Sequence, residues 1–172
     1  MWALGGSIAR GMKPSVYRDM IHTLQKTGTP CVLDTDNEAL SLGVQASPYM
    51  IKPNEYEMQR LLGKKLSSLP DYLAGARSLV KSGIRVVIVS LGARGALFAT
   101  REEAFHVPAL KVNVKSKVGA GDSLIGGVVW ALSRKTGLEE AARTGVAASI
   151  SAVMREAPRL CLKSDKIGRA HV

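Results

Sequence analysis

Residues 118–130 read Val-Gly-Ala-Gly-Asp-Ser-Leu-Ile-Gly-Gly-Val-Val-Trp. Gly119-Ala120-Gly121 is a run of small residues between an alternating stretch and an apolar one, the pattern of a tight turn that opens a helix. Backbone N–H groups converge at such a turn, and the helix dipole adds partial positive charge there. The turn can therefore stabilise an anion, and Asp122 sets a carboxylate beside it. An anion hole and a base on one turn are the parts needed to move a phosphoryl group onto a hydroxyl. The structural alternative makes Asp122 a helix cap and Gly126-Gly127 an aid to close packing. A Gly-x-Gly match alone does not separate the two, and the run fits neither the Walker nor the dinucleotide-binding pattern.

Other candidate residues also follow apolar, strand-like runs. Loops at the carboxyl ends of parallel strands are where α/β proteins bind ligands. Gly5-Gly6-Ser7 closes the first such run, and Ser90-Leu91-Gly92-Ala93-Arg94-Gly95 closes the most apolar one, Val86–Val89. In Lys52-Pro53-Asn54-Glu55-Tyr56-Glu57, Asn54 and Glu57 have capping-box spacing. The same residues can serve a nucleotide, with Lys52 and Asn54 at its phosphates and Glu57 organising Mg²⁺ through water. Asp34-Thr35-Asp36 offers two acids to a metal or a sugar, or a cap to the next helix. Lys111, Lys115 and Lys117 read as the wet face of a strand, with Lys117 two residues before Gly119. His22 and His106 have no partner spacing and are expected at the surface. Trp2 and Trp130 are expected in the core. Cys31 and Cys161 lack metal-ligand spacing and read as buried thiols.

Elements that position these residues alternate along the chain, which predicts α/β with a parallel sheet. Strands are expected at Met1–Leu4, Cys31–Asp34, Tyr49–Ile51, Arg85–Ser90, Ala96–Thr100, Glu103–Val107 and Lys111–Val118. Helices are expected at about Pro14–Lys26, Glu38–Leu42, Glu55–Leu62, Leu69–Ser82, Asp122–Leu132 and Leu138–Met154. The 172 residues, 46% hydrophobic and 22% charged, suit one globular domain. No apolar run is long enough to cross a bilayer, and the first residues lack the basic region of a signal peptide, so a cytoplasmic protein is expected. The net charge of +10 does not imply nucleic-acid binding. Basic residues are dispersed, aromatics make up only 5%, and a triphosphate site itself favours a positive field.

Taken together, Gly5-Gly6-Ser7, Lys52-Pro53-Asn54 with Glu57, Ser90-Leu91-Gly92 with Gly95, and Val118-Gly-Ala-Gly-Asp122-Ser resemble the ribokinase-like (PfkB) carbohydrate kinases. Asp34-Thr35-Asp36-Asn37-Glu38-Ala39-Leu40 and Pro158-Arg159-Leu160-Cys161 resemble that family's phosphofructokinase branch, and the likeness covers about residues 3–162. The resemblance implies a three-layer α/β/α sandwich with a mostly parallel sheet. It implies ATP-dependent phosphorylation of a hexose phosphate with Mg²⁺, and in many members K⁺. Asp122 then matches the base, and Gly119, Ala120 and Gly121 the anion hole. Lys52, Asn54 and Glu57 match the phosphate and Mg²⁺ motif. Ser90, Gly92 and Gly95 match the nucleotide loop, and Lys117, where the family usually has Thr, would either reach a phosphate or disturb the cation loop. Gly6 and Asp122 would face the sugar. Carbonyls of Ser116, Val118 and Ala152 would hold K⁺. The partners implied are ATP and a sugar phosphate, within a homodimeric parent, with no nucleic acid and no membrane.

Members of the family are longer at the N-terminus, so residues 1–162 are expected to be the C-terminal ATP-binding and catalytic part, without the lid. The chain opens inside a strand, so Met1 is not expected to be the natural start. Residues 163–172 read as a non-native tail, and Ile167–Val172 equals the translation of a common sequencing-adapter sequence. A nucleotide-binding module without catalysis, and a kinase for another sugar or a nucleoside, stand as alternatives.

Overall fold

The computed structural model describes residues 1–157 and 159–162. The chain divides into two compact units. The first comprises Met1–Leu91 and Leu97–Phe105, and the second comprises Gly92–Ala96 and the described residues from His106 onward. The tail at 163–172 lies outside the described residues.

In the first unit, β1 (Trp2–Gly5), α1 (Val16–Lys26), β2 (Cys31–Asp34), α2 (Asn37–Gln45), β3 (Met50–Ile51), α3 (Glu55–Leu62), α4 (Leu69–Lys81) and β4 (Val86–Ser90) follow one another. β1 to β4 pair in parallel and in chain order. Parallel neighbours need right-handed crossovers, so successive connections in one direction put their helices on one face. Accordingly α1 packs on α2, α2 on α3 and α3 on α4. Leu33, Ile51, Val87 and Val89 share one core with Ile21, Leu40, Met58 and Ala76. The alternate strand residues Val32, Met50, Val86 and Ile88 are buried as well, so both faces of the sheet are covered. That is the condition of a parallel sheet and the reason its strands read as unbroken apolar runs.

β5 (Ala96–Ala99) and β6 (Ala104–Val107) complete a six-stranded sheet in the order β1 to β6. Thr100 N donates to Glu103 O at 2.8 Å in the link between them. A link this short makes a hairpin, which is antiparallel.

The second unit holds α5 (Ala120–Ser133) and α6 (Leu138–Val153), which pack along their lengths. A Cβ on Gly127 would lie 2.8 Å from Gly145 Cα and 2.9 Å from Thr144 O, so this glycine lets the helix backbones meet. Leu124, Val128 and Ala131 of α5 and Ala142, Val146 and Ile150 of α6 are buried. Gly126 faces open space instead.

Four expectations are corrected. Lys111–Val118 is not a strand. Its alternation has no neighbouring strand to use it, and Lys115 N and Ser116 N both donate to Val153 O at the end of α6, at 2.8 and 3.3 Å. Trp2 and Trp130 are not core residues, being 58% and 51% exposed. Trp2 lies on the edge strand, and Trp130 carries the Arg134 guanidinium 5.3 Å from its ring centre. Cys31 is buried as expected, but Cys161 is only half-buried. α2 runs to Gln45, past the expected Leu42.

α4 begins with a reciprocal cap. Ser68 accepts from the Asp71 amide, and the Asp71 carboxylate accepts from the amides and hydroxyls of Ser67 and Ser68. Those bonds, led by the Ser68 hydroxyl, hold the Asp71 carboxyl down at about 2, against an ordinary 3.8. A depressed folded value means the contribution is complete above about 3.8 and is lost as pH falls through about 2. Asp71→Asn is therefore expected to lower the melting temperature at neutral pH and to flatten its decline between about pH 4 and pH 2. Thermal melts followed by circular dichroism across that range check both.

Candidate active site

At the carboxyl ends of β1 to β4, within the first unit, the chain assembles a polar cluster from short, register-fixed strands. Gly5 aligns with Asp34, and Leu33 aligns with Ile51. The residues just past these pairs are Gly6, Thr35 and Lys52. Gly6 N donates to Asp34 O at 3.0 Å. Thr35 Oγ1 and Tyr17 Oη donate to Gly6 O at 2.8 and 3.0 Å. Lys52 Nζ lies 3.1 Å from Asp34 Oδ1, with side-chain exposures of 7% and 19%. A lysine this deep in protein needs a paired charge, and Asp34 supplies it.

Asn54 and Glu57 form the capping box expected from their spacing. Asn54 Oδ1 accepts from Glu57 N at 2.9 Å, and Glu57 Oε2 accepts from Asn54 N at 2.8 Å. Ser90 N donates to Pro53 O at 3.0 Å, and Ser90 bridges to Asn54. Gly6, Lys52, Asn54, Glu57 and Ser90 are thus joined through one set of strand ends. The capping reading of Asp34 to Asp36 is corrected. Asp36 stands at the N-cap position of α2, but its side chain makes no cap and accepts from Ser7 Oγ at 3.0 Å.

Burial raises the Glu57 pKa. The Asn54 amide and Lys52 pull it back, while Asp34 and Asp36 push it further up. The charged carboxylate is therefore held at a cost that a divalent cation would offset, which suits a group placed beside hydrated Mg²⁺. Glu57 also walls a groove of about 350 Å³ between α2 and α3, with Asn37, Tyr56 and Arg60.

The second unit carries the other residues singled out from the sequence. Gly92 and Gly95 bracket a 3-10 turn with φ of 58° and 93°. A Cβ on Gly95 would run into the Val107 carbonyl and lie 2.6 Å from Ala109 N. Gly119 is the N-cap of α5 at φ 78°, and a Cβ there would strike the Leu160 side chain. No side chain caps α5. Ser123 N takes Gly119 O at 2.9 Å. The first-turn amides of Gly121 and Asp122 are left without an acceptor among the described residues, as helix starts leave them. Asp122 is exposed on this first turn. α5 begins at Ala120, two residues before the expected start, which puts Ala120 and Gly121 inside the helix mouth.

Near this mouth, Val153 O gathers the amides of Lys115 and Ser116, and Val118 N donates to Ser116 Oγ at 3.1 Å. The loop carrying Ser116 and Val118 is thereby pinned at Val153, the end of α6 next to Ala152. Lys117 is exposed, and its carbonyl accepts from Ala120 N at 3.4 Å. Sequence reasoning missed the Asp34–Lys52 pair, the Thr35 and Tyr17 hydroxyls on Gly6, and Ser123, whose buried hydroxyl has no partner among the described residues. The Asp34–Lys52 pair and the Thr35 contact follow from strand register, and the Tyr17 contact from the packing of α1, neither of which the order of apolar runs reveals.

The family model "pfkB family carbohydrate kinase" matches residues 1–165. The chain is 37% identical over 151 residues to a 1-phosphofructokinase of Haemophilus influenzae, covering 87% of the chain and 48% of that protein. It is 35% identical over 164 residues to the ATP-dependent 6-phosphofructokinase isozyme 2 of Escherichia coli, covering 94% and 53%. The crystal structure of phosphofructokinase-2 from Escherichia coli in complex with potassium superposes with a TM-score of 0.90 at 35% identity, covering 95% of this chain and 53% of that one. The chain spans about half the length of the curated relatives it matches. It belongs to the pfkB family of carbohydrate kinases, and the expected α/β fold of that family is the one it has.

The Glu57 environment makes a prediction of opposite sign to that of Asp71. A folded pKa raised above the ordinary 4.5 gives a contribution that is full below that value and lost as pH rises through the folded one. At neutral pH the buried charge is a cost. Glu57→Gln keeps an oxygen for the Asn54 amide, and is expected to melt at or above the wild-type temperature at neutral pH. Its stability is also expected to vary less with pH above about 4.5. A melting temperature clearly below wild type at neutral pH would count against this account.

Proposed function

We propose that this chain is the ATP-binding and phosphoryl-transferring part of a hexose-phosphate kinase whose acceptor is fructose 6-phosphate, fructose 1-phosphate or tagatose 6-phosphate. The observation that carries the reading is the mouth of α5. A glycine at φ 78°, a backbone conformation that other residues rarely adopt, leads into uncapped amides, and an exposed carboxylate stands on the same turn.

In this reading Asp122 accepts the proton of the sugar hydroxyl as that oxygen attacks the γ-phosphorus of ATP and the bond from that phosphorus to the β–γ bridging oxygen breaks, with ADP as the leaving group. The Gly119–Gly121 turn and the Asp122 amide donate to the oxygens of the transferring group, where charge must be stabilised without reorganisation. Lys52 and Asn54 serve the nucleotide phosphates. Glu57 orients water on Mg²⁺, which when bound neutralises phosphate charge. Ser90, Gly92 and Gly95 border the nucleotide, Lys117 adjoins its phosphates, and Gly6 with Asp122 faces the sugar. The carbonyls of Ser116, Val118 and Ala152 hold K⁺, a proposal supported by the pinning of their loop to Val153 and by the potassium complex of the Escherichia coli relative. Joint action of the two residue sets on one ATP is part of this proposal, and family membership supports it. A cytoplasmic location and a homodimeric parent belong to the same proposal. No helix among the described residues is long and apolar enough to cross a membrane.

Two measurements test the reading. Titration calorimetry is expected to show MgATP binding by the wild-type chain, with unchanged affinity in Asp122→Asn and weaker affinity in Glu57→Gln. A coupled ADP-release assay with the three sugar phosphates is expected to show no robust turnover by this chain alone, and a form lengthened at the N-terminus is expected to lose at least about 100-fold in rate on Asp122→Asn. Absence of MgATP binding, or turnover indifferent to Asp122, overturns it.

A further inference from the structure

We infer that Asp34 is a positioning residue for Lys52. It holds the buried ammonium at the strand ends in the orientation that meets the nucleotide phosphates, and the same residue's backbone ties that ammonium to Gly6. This rests on the proposed role of Lys52 as a phosphate-binding group.

The geometry begins in the pairing of β2 with β3. Leu33 and Ile51 are in register, and Lys52 N donates to Leu33 O at 3.3 Å. Asp34 and Lys52 therefore leave the sheet side by side. The lysine stem has four rotatable bonds and, unheld, would carry its charge out to water. Here Nζ is instead 3.1 Å from Asp34 Oδ1, and the lysine side chain is only 7% exposed. Asp36 and Glu57 are the other acids of this cluster, and the Glu57 carboxyl responds to Lys52, Asp34 and Asp36. Asp36 accepts from Ser7 Oγ, and Glu57 accepts from Asn54 N. Asp34 is the carboxylate at ion-pair distance.

The ion pair with Asp34 uses one of the ammonium's three donors, leaving capacity for phosphate oxygens. Asp34 thus fixes the charge without consuming it. Its backbone extends the effect, because Asp34 O accepts from Gly6 N at 3.0 Å while the next residue, Thr35, donates to Gly6 O at 2.8 Å. One dipeptide holds both polar groups of Gly6 and, through the first side chain, Lys52. A capping role for Asp34, which its position ahead of α2 suggests, would use none of these contacts.

The test is a double-mutant cycle on the full 172-residue chain, read by calorimetric binding of the Mg²⁺ complex of the non-hydrolysable analogue AMPPNP. The ¹⁵N signal of the Lys52 ammonium is followed in parallel. Asp34→Asn is expected to weaken binding at least tenfold and to abolish the slowly exchanging ammonium signal. In a Lys52→Met background the same change is expected to alter binding less than twofold, because the group Asp34 acts through is gone. Unchanged binding in Asp34→Asn, or an equal loss in both backgrounds, overturns the inference and leaves the function standing. No binding by wild type overturns the function and the inference with it. Removing one partner of a buried pair can unfold a protein. Asp34→Glu therefore serves as a second variant that keeps the charge but displaces it, and wild-type affinity in that variant also overturns the inference.

Discussion

The parallel register of β1, β2 and β3 is the constraint on which the polar cluster depends. Gly5 faces Asp34 and Leu33 faces Ile51, so the strand ends deliver Gly6, Thr35 and Lys52 to one place. Side chains alternate across a sheet, and a one-residue slip would turn every one of them to the opposite face. The register is itself enforced by burial. β2 and β3 are buried on both sides, with Val32, Leu33, Met50 and Ile51 each fully inside. Neither strand can slide without exposing one of these residues. Stability of the core and placement of the charged pair are thus one requirement.

Helix starts show a second division of labour. α3 and α4 satisfy their own first-turn amides with side chains, through Asn54 and Glu57 and through Ser68 and Asp71. α5 does not, because its N-cap is a glycine and has no side chain to offer. A self-capped helix is sealed against an incoming anion, and a glycine-capped one is open to it. Glu57 spans both cases, since it seals α3 while keeping a carboxylate oxygen for another partner.

Much of this was legible in the residues. The apolar runs at Cys31–Leu33 and Val86–Val89 gave buried strands in place, and the Asn54-to-Glu57 spacing gave the capping box that forms. Gly119 followed by Asp122 on a helix start was equally visible. The errors share one cause. Alternation at Lys111–Val118 looks like a strand, yet a strand needs a neighbour, and its amides went to the end of α6 instead. Trp2 and Trp130 look like core because of their type, but burial depends on which side of an element meets another, and periodicity near an edge strand or on a helix flank does not say. The Asp34–Lys52 pair joins residues 18 positions apart in number, through a register that no local pattern encodes.

The exposure of both indoles carries a consequence for anyone who follows this chain by optical spectroscopy. Trp2 and Trp130 are the only two tryptophans in the sequence, and in the folded state each already stands more than half in water. Their native emission is accordingly that of a hydrated ring, so denaturation offers little further red shift. A flat fluorescence trace would describe the fluorophores rather than the fold, whereas the backbone signal of α1 to α6 reports the transition directly. Trp130 retains one use, because it shares the exposed flank of α5 with Asp122 and Gly126. Its quenching reports what approaches that flank.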